Sequence, residues 1–91
     1  MYQTDLMKDP DNLSRLAWAC RRGMLELDVL LGNYLSEVYP SLLMADKLLF
    51  IRLLGAQDPE LFAFIMGHEI PEDAALADMA GRIRKHAQSR I

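Results

Sequence analysis

The stretch Arg21-Arg22-Gly23-Met24-Leu25-Glu26-Leu27-Asp28 decides the fold, because charge collects there where one helix must end and another must begin. Upstream, apolar residues follow the i, i+3, i+4, i+7 pattern of an amphipathic helix, at Leu13, Leu16, Ala17 and Cys20. Gly23 comes directly after the basic end of this pattern, as is typical of a helix C-terminus. We therefore predict a first helix that ends at Gly23 and buries this apolar stripe, including Cys20.

A second apolar stripe begins inside the same stretch and predicts a helix from about Leu25 to Val38. Its members are Leu27, Leu30, Leu31, Tyr34, Leu35 and Val38. Glu26 and Asp28 then fall in the first turn, where the helix dipole and unpaired N–H groups favour carboxylates. Gly32 costs this helix about 1 kcal/mol relative to Ala, which predicts that another helix crosses closely there.

Three further helices follow along the chain. The third is predicted from about Leu43 to Leu54, and the fourth opens with a cap at Asp58-Pro59 and ends at Gly67. The last opens at Pro71-Glu72-Asp73 and has a basic end that suits the helix dipole. The predicted inward faces are, in order, Leu49, Phe50, Leu53 and Leu54; Leu61, Phe62, Ile65 and Met66; and Leu76, Met79, Ala80 and Ile83.

The pattern as a whole predicts an all-α fold, a compact bundle of five short helices, since no stretch alternates as strands do. We expect one helical domain over residues 1–91, with about 1–9 and 88–91 frayed. Two points stay open. The first helix begins either at Asp9-Pro10 or after a cap at Asn12, and the sequence does not decide whether the apolar segment Leu42–Ala45 is exposed.

Composition and charge restrict the setting in which the chain works. It has 91 residues, 52% of them hydrophobic, and a formal net charge of −3. A single cysteine excludes an internal disulfide and fits a reducing compartment. No apolar run reaches the length of a membrane span, and an acidic start argues against a secretory signal or a mitochondrial transit peptide. We therefore expect a bacterial cytoplasmic protein that does not contact a membrane.

No arrangement of residues predicts catalysis or metal binding. The chain offers Cys20 and two widely separated histidines, His68 and His86, whereas a metal site needs several converging ligands. Nucleophilic catalysis needs a base beside the nucleophile, and Cys20 is expected to point inward. There is no phosphate-binding loop or dinucleotide fingerprint. We expect no enzymatic activity, no metal and no tightly bound cofactor.

One face of the first helix is unusual because it places a tryptophan between two arginines. At 100° per residue, Arg15, Trp18 and Arg22 lie within about 60° of one another and away from the apolar stripe. Trp and Arg are enriched in interface hot spots, so this face is as consistent with a partner interface as with a solvated surface. The corner residues also have purely structural interpretations, as a helix cap or first-turn carboxylates: Gly23, Glu26 and Asp28.

These residues resemble a known family, the small FAD assembly factors of succinate dehydrogenase (SdhE-type), which are also described as antitoxin-like proteins. The resemblance runs from Arg15 to about Ile83. Its most specific part is the run from Trp18 to Asp28, which contains the family's R-G-x-x-E signature as Arg22, Gly23 and Glu26. A second block also resembles the family: Phe50-Ile51-Arg52-Leu53-Leu54 followed by Asp58-Pro59-Glu60-Leu61-Phe62.

The resemblance implies a function for a chain that has no chemistry of its own. Family members are understood to bind the flavoprotein subunit of succinate dehydrogenase, and often that of fumarate reductase. They promote covalent attachment of FAD to a histidine of that subunit. The resemblance therefore implies that FAD is the partner's cofactor and that this chain is a chaperone, which we expect to be a monomer. The motif match implies that Arg22, Gly23 and Glu26 form the docking centre, and position adds Arg15, Trp18, Met24 and Asp28.

Two other classes of function remain as alternatives. A nucleic-acid-binding regulator would use the basic clusters near Arg21 and Arg84, but the negative net charge and the lack of a basic recognition helix argue against it. The main alternative is an antitoxin-like inhibitor of another protein, which would also be a small acidic adaptor. For the docking assignment, we expect Arg22 and Glu26 at an exposed junction, where replacing either leaves the fold nearly intact.

Overall fold

The structure, a computed structural model, describes residues 6–90 of the chain. Over this range it is helical and contains no strand, which confirms the all-α prediction. Five α-helices of seven or more residues are present: α1 Leu13–Ala19, α2 Leu25–Glu37, α3 Met44–Leu53, α4 Asp58–Met66 and α5 Ala74–Ser89. A short 3-10 helix, Tyr39–Ser41, joins α2 to α3, and residues 6–8 are also helical.

The last helix, α5, is the centre of the packing and contacts α2, α3 and α4. It begins after Asp73, whose side chain accepts a hydrogen bond from the backbone N–H of Ala75 at 2.8 Å. Its predicted inward face is confirmed, since Met79, Ala80 and Ile83 are buried and Leu76 packs at the edge of the core. None of the described helices is both long enough and apolar enough to span a membrane.

The starts of α2, α3 and α4 were predicted to within one residue, whereas α5 begins at Ala74, three residues after Pro71. Asn12 caps α1 by accepting a hydrogen bond from the backbone N–H of Arg15 at 3.1 Å, which decides against Asp9-Pro10 as the start. In α4, Gln57 is the capping residue and Asp58 is the first helical residue. The prediction that Asp58 is the cap is therefore wrong by one position, and its carboxylate is free to bond elsewhere.

The first helix turns a different face inward from the one predicted. Leu16, Ala19 and Cys20 are buried, but Leu13 and Ala17 are exposed, so the predicted stripe is wrong at those two positions. The reason is that α1 has seven residues and, among the helices, packs mainly against α2. A short helix with one main neighbour buries a narrow sector of its surface.

The second helix has the predicted bounds and core face. Leu27, Leu31, Tyr34 and Leu35 are buried, and Leu30 and Val38 pack at the edge of the core. The Tyr34 ring stacks on Phe50 of α3 with a centroid separation of 5.8 Å. The prediction of a close crossing at Gly32 is wrong, because a Cβ built there meets no heavy atom within 4 Å.

The third and fourth helices match their predictions with small differences. α3 begins at Met44, one residue later than predicted, and buries Ile51 in place of the half-buried Leu49. In α4 the buried residues are Leu61 and Ile65, while Phe62 and Met66 are half-buried. Gly67 ends α4 with φ +82°, as predicted for a left-handed cap.

The structure also answers the question about the apolar segment Leu42–Ala45. Leu42 packs against the core, whereas Leu43 is 76% exposed and Met44 is 48% exposed. Ala45 is exposed as well. The start of α3 therefore presents apolar side chains to solvent.

The described parts of the two terminal segments contact the rest of the fold, although most of their side chains are exposed. The fraying expected for about 1–9 and 88–91 stays a prediction. Leu6 is fully buried in the core. At the other end, α5 continues to Ser89, and the Arg90 guanidinium forms an ion pair with Glu37 of α2 at 3.0 Å. The rest of both segments, residues 1–5 and 91, lies outside the described residues.

Candidate functional site

The corner between α1 and α2 depends on a left-handed glycine. Gly23 has φ +85°, a conformation that costs residues with a Cβ about 1–2 kcal/mol. The predicted need for glycine is therefore confirmed, but α1 ends at Ala19 with Cys20 as its cap, so the prediction that Gly23 caps α1 is wrong. A Cβ built on Gly23 meets no heavy atom within 4 Å, so the backbone here is open to the approach of another molecule.

Asp28 holds this corner from the first turn of α2. Its carboxylate accepts hydrogen bonds from the backbone N–H of Arg22 at 2.7 Å and of Gly23 at 3.2 Å. Both donors precede the helix, so Asp28 fixes the path of the chain into α2. The sequence predicted a first-turn carboxylate, and the structure shows that Asp28 is also the hydrogen-bond acceptor of the corner.

The Arg22 side chain is turned away from solvent and is only 13% exposed. Its Nε donates to the carbonyl oxygen of Ala19 at 2.8 Å, which closes the end of α1. Nη1 pairs with Oδ1 of Asp58 at 2.9 Å and lies 3.4 Å from the carbonyl oxygen of Ala56. Nη2 donates to the carbonyl oxygen of Leu54. Arg22 therefore joins the corner to the α3–α4 connection.

The prediction that Arg22 is exposed on the same face as Arg15 and Trp18 is wrong. That prediction extended the 100° rotation of a helix to Arg22, but α1 ends three residues earlier, at Ala19. The sequence also missed Asp58 as a corner residue. The signal that pointed to it was its place in the second block of the family resemblance.

Trp18 and Arg21 remain at the surface beside the corner. The Trp18 side chain is 69% exposed, and the Arg21 guanidinium lies 5.6 Å from the centre of its ring, within the range of a cation–π interaction. Arg15 is exposed one turn earlier on α1. Arg15 and Trp18 thus form the outer face of α1 near the corner, and Arg21 lies beside them just after the helix ends.

Glu26 lies on α2, away from the outer face of α1. It is exposed in the first turn and, within residues 6–90, its carboxylate makes no hydrogen bond or ion pair. It borders a shallow groove together with Leu30 of α2 and Arg84 of α5. Met24, which precedes α2 as its cap, is half-buried and packs against the core. The predicted site residues therefore divide into exposed ones and ones that hold the corner.

A second groove, with a volume of about 550 Å³, lies between α1 and α2 beside Trp18. The sequence did not predict it. Its lining includes Ala17, Trp18, Arg21, Asp28, Gly32 and Ser36. The feature of the sequence that could have indicated it is Gly32, because glycine lowers the stability of α2 and no helix crosses there to explain its presence.

Cys20 lies at the base of this region and is 2% exposed. Burial raises the pKa of its thiol to about 12, with a smaller opposing effect from the charge of Arg22. Because the thiolate is the reactive form, we expect the native protein to react slowly with a thiol reagent at pH 8 and the urea-unfolded protein to react with one equivalent at once. Rapid reaction of the native protein would show that Cys20 is accessible.

Substitution of Gly23 tests the left-handed corner. We expect Gly23→Ala to lower the free energy of unfolding by about 1–2 kcal/mol, measured by urea denaturation, because alanine is strained at this φ. Gly81→Ala is the matched control, since Gly81 lies within α5 and a Cβ there also meets no atom within 4 Å. The control should be neutral or stabilising. Equal midpoints for the two variants would contradict the strain argument.

Metal-ligating side chains do not converge anywhere in the part of the chain that the structure describes, since no group of three or more His, Cys, Asp or Glu residues is placed to hold an ion. The corner instead combines a turn held by Arg22 and Asp28 with an exposed tryptophan. Beside it, the Glu26 carboxylate makes no hydrogen bond or ion pair within residues 6–90.

Comparisons with known proteins identify what this chain is similar to. Residues 14–87 match a family model described as flavinator of succinate dehydrogenase. The chain is 55% identical over 76 residues to a protein of Shewanella oneidensis named FAD assembly factor SdhE, an alignment that covers 84% of this chain and 93% of that protein. Proteins of the same name from Colwellia psychrerythraea and Vibrio cholerae are 52% and 41% identical over 85 residues, which is 93% of this chain and 91% and 99% of theirs.

Proposed function

Because the chain belongs to the family of flavinators of succinate dehydrogenase, we propose that it binds the flavoprotein subunit of that enzyme and promotes covalent attachment of FAD to it. The observation that carries the proposal is the α1–α2 corner, where the R-G-x-x-E residues coincide with a turn held by Arg22 and Asp28. This corner presents Trp18 and Glu26 to solvent beside an open glycine backbone.

The proposal assigns the chemistry to the partner subunit and its flavin. The chain contributes binding free energy, which favours the conformer of the subunit in which the flavin and the acceptor histidine are aligned. Alignment of this kind lowers a barrier by several kcal/mol without a catalytic group on the binding protein. The chain is thus a chaperone and not an enzyme, and it holds neither FAD nor a metal itself.

The structure supports two roles among the proposed partner-binding residues. Trp18, Arg15, Glu26 and the open backbone of Gly23 contact the partner directly in this proposal. The other members keep the corner in shape: Arg22, Met24 and Asp28. The accessible surface of 5501 Å² is large enough, because a standard interface buries about 800 Å² on each side, or roughly 15% of it.

The proposal further extends to the related flavoprotein subunit of fumarate reductase and to a monomer that acts in the bacterial cytoplasm. In this proposal one docking surface serves both enzymes, since it contacts the surface of the flavoprotein subunit and not the substrate of the enzyme. No contact with nucleic acid or membrane is part of this function.

The test measures covalent flavin in the partner. Flavoprotein subunits from cells with and without this chain are separated by denaturing electrophoresis, and the flavin fluorescence of each band is compared with its protein stain. We expect the signal of the succinate dehydrogenase subunit to fall strongly without the chain and to return when the chain is supplied. Equal signals would overturn the proposal and would favour the antitoxin-like alternative.

A further inference from the structure

Gly32 lines the groove between α1 and α2. A glycine within a helix costs about 1 kcal/mol relative to Ala, so its presence calls for a reason. Neither usual reason applies here. Gly32 does not have a positive φ, and a Cβ built on it meets no heavy atom within 4 Å. What the missing side chain does is leave the groove open.

Exposed apolar side chains lie on the same face of α2 as Gly32. On α2, Leu25, Val29, Gly32 and Ser36 recur every three or four residues and therefore share one face. Leu25 is 81% exposed and Val29 is 51% exposed, and Trp18 borders the groove from α1. Exposed apolar groups on one face, beside a concavity that Trp18 borders, are a feature of protein interaction sites.

The groove also carries a positive charge that the described part of the chain leaves without an ion pair. The Arg21 guanidinium lies over the Trp18 ring, and no carboxylate among residues 6–90 pairs with it. Asp28, the acidic residue of the lining, already accepts two backbone hydrogen bonds from the corner. Arg21 is therefore the charged group of the lining that remains available to a carboxylate of a ligand.

We propose that this groove receives a segment of the flavoprotein subunit that inserts a large apolar side chain beside Gly32 and pairs a neighbouring carboxylate with Arg21. This inference rests on the proposed function, because it assumes that the flavoprotein subunit is the partner. It extends the docking surface beyond the R-G-x-x-E corner to Arg21, Val29 and Gly32. The occupant is a protein segment, since the groove is open at the surface and continuous with the corner.

The test fills the groove without disturbing the fold. Gly32→Leu places a large side chain where the structure has free space, and leucine favours a helix more than glycine does. We expect the dissociation constant for the flavoprotein subunit, measured by calorimetry, to rise at least about tenfold. The melting temperature should not fall.

Gly81→Leu is the matched control for this variant. Gly81 also lies within a helix, and a Cβ there also meets no atom, but it borders a groove on α5 among other residues. Its affinity for the flavoprotein subunit should equal that of the unmodified chain. A tenfold loss in both variants would overturn the inference, because the effect would then not belong to the α1–α2 groove.

A second measurement tests the carboxylate. The affinity of the unmodified chain should fall with added salt, and Arg21→Gln should bind more weakly with a smaller salt dependence. If Gly32→Leu and Arg21→Gln both bind as the unmodified chain does, the groove inference is wrong while the proposed function stands. If the unmodified chain does not bind the subunit at all, both are wrong.

Discussion

The Arg22→Ala variant is expected to have a free energy of unfolding about 3 kcal/mol below that of the unmodified chain, and to give no detectable flavinylation of the partner subunit. This differs from the expectation drawn from the sequence, in which Arg22 is an exposed docking residue whose loss leaves the fold intact. The guanidinium is 13% exposed and its contacts lie within the protein. Loss of the Arg22 side chain should therefore lower the stability of the fold and distort the corner at the same time.

The magnitude follows from what the substitution leaves behind. Hydrogen bonds that involve a charged group contribute about 1.5–3 kcal/mol each, and an unsatisfied buried acceptor costs about 1–3 kcal/mol. Without Arg22, the carbonyl oxygens of Ala19 and Leu54 lose their donor. Asp58 loses its ion pair, but it is 38% exposed and water compensates part of that loss. The carbonyl oxygens therefore account for most of the effect.

The measurement is urea denaturation of each variant beside in-gel flavin fluorescence. Arg22→Lys keeps the charge but replaces a planar fork with a single ammonium group, so it should recover only part of the stability. Arg21→Ala is the control for stability, because Arg21 is the adjacent residue and is exposed. It should melt as the unmodified chain does. If Arg22→Ala melts normally yet fails in flavinylation, Arg22 is a direct contact after all.

The general fold could be predicted from the sequence because its signals are local. Helix periodicity, caps and glycine ends placed α2 and α5 correctly, and Gly67 ends α4 as predicted. Local signals failed where the outcome depends on neighbours in space. The inward face of α1 was wrong at Leu13 and Ala17, since the pattern does not say how many helices α1 contacts.

In the candidate site, too, local features could be predicted from the sequence, whereas contacts between distant residues could not. The left-handed turn at Gly23 and the first-turn carboxylates could be predicted from spacing alone. The role of Arg22 could not, because its contacts on the α3–α4 connection lie 32 to 36 residues away in sequence. For Gly32, the sequence shows the cost to the helix but not the empty space beside it.

The corner therefore separates into a support and a contact surface, and Glu26 is the residue that tests the contact surface alone. We expect Glu26→Ala to reduce flavinylation of the partner subunit by about 30-fold while the melting curve stays nearly unchanged. Truncating a charge that is buried against a charged group of the partner costs about 2 kcal/mol or more of binding free energy. This corresponds to about 30-fold in affinity.

The fold should tolerate the change because Glu26 contributes little to it. Its carboxylate makes no hydrogen bond or ion pair within residues 6–90, so its remaining role is a favourable position near the start of α2, worth about 0.3–1 kcal/mol. Glu60→Ala is the matched control, since Glu60 is an exposed first-turn carboxylate of α4. It should lose the same small amount of stability and support flavinylation fully.

Glu26→Gln separates charge from shape, because the side chain keeps its size and one acceptor oxygen but becomes neutral. If the partner presents a cation to Glu26, the amide should restore only a small part of the flavinylation lost in Glu26→Ala, and added salt should weaken the unmodified complex more than the variant complex. Full activity of the amide variant would mean that a neutral hydrogen bond is enough. Normal flavinylation by both variants, with Glu60→Ala also normal, would remove Glu26 from the docking surface and leave the α1 side of the corner, with Trp18 and Arg21, to carry the contact.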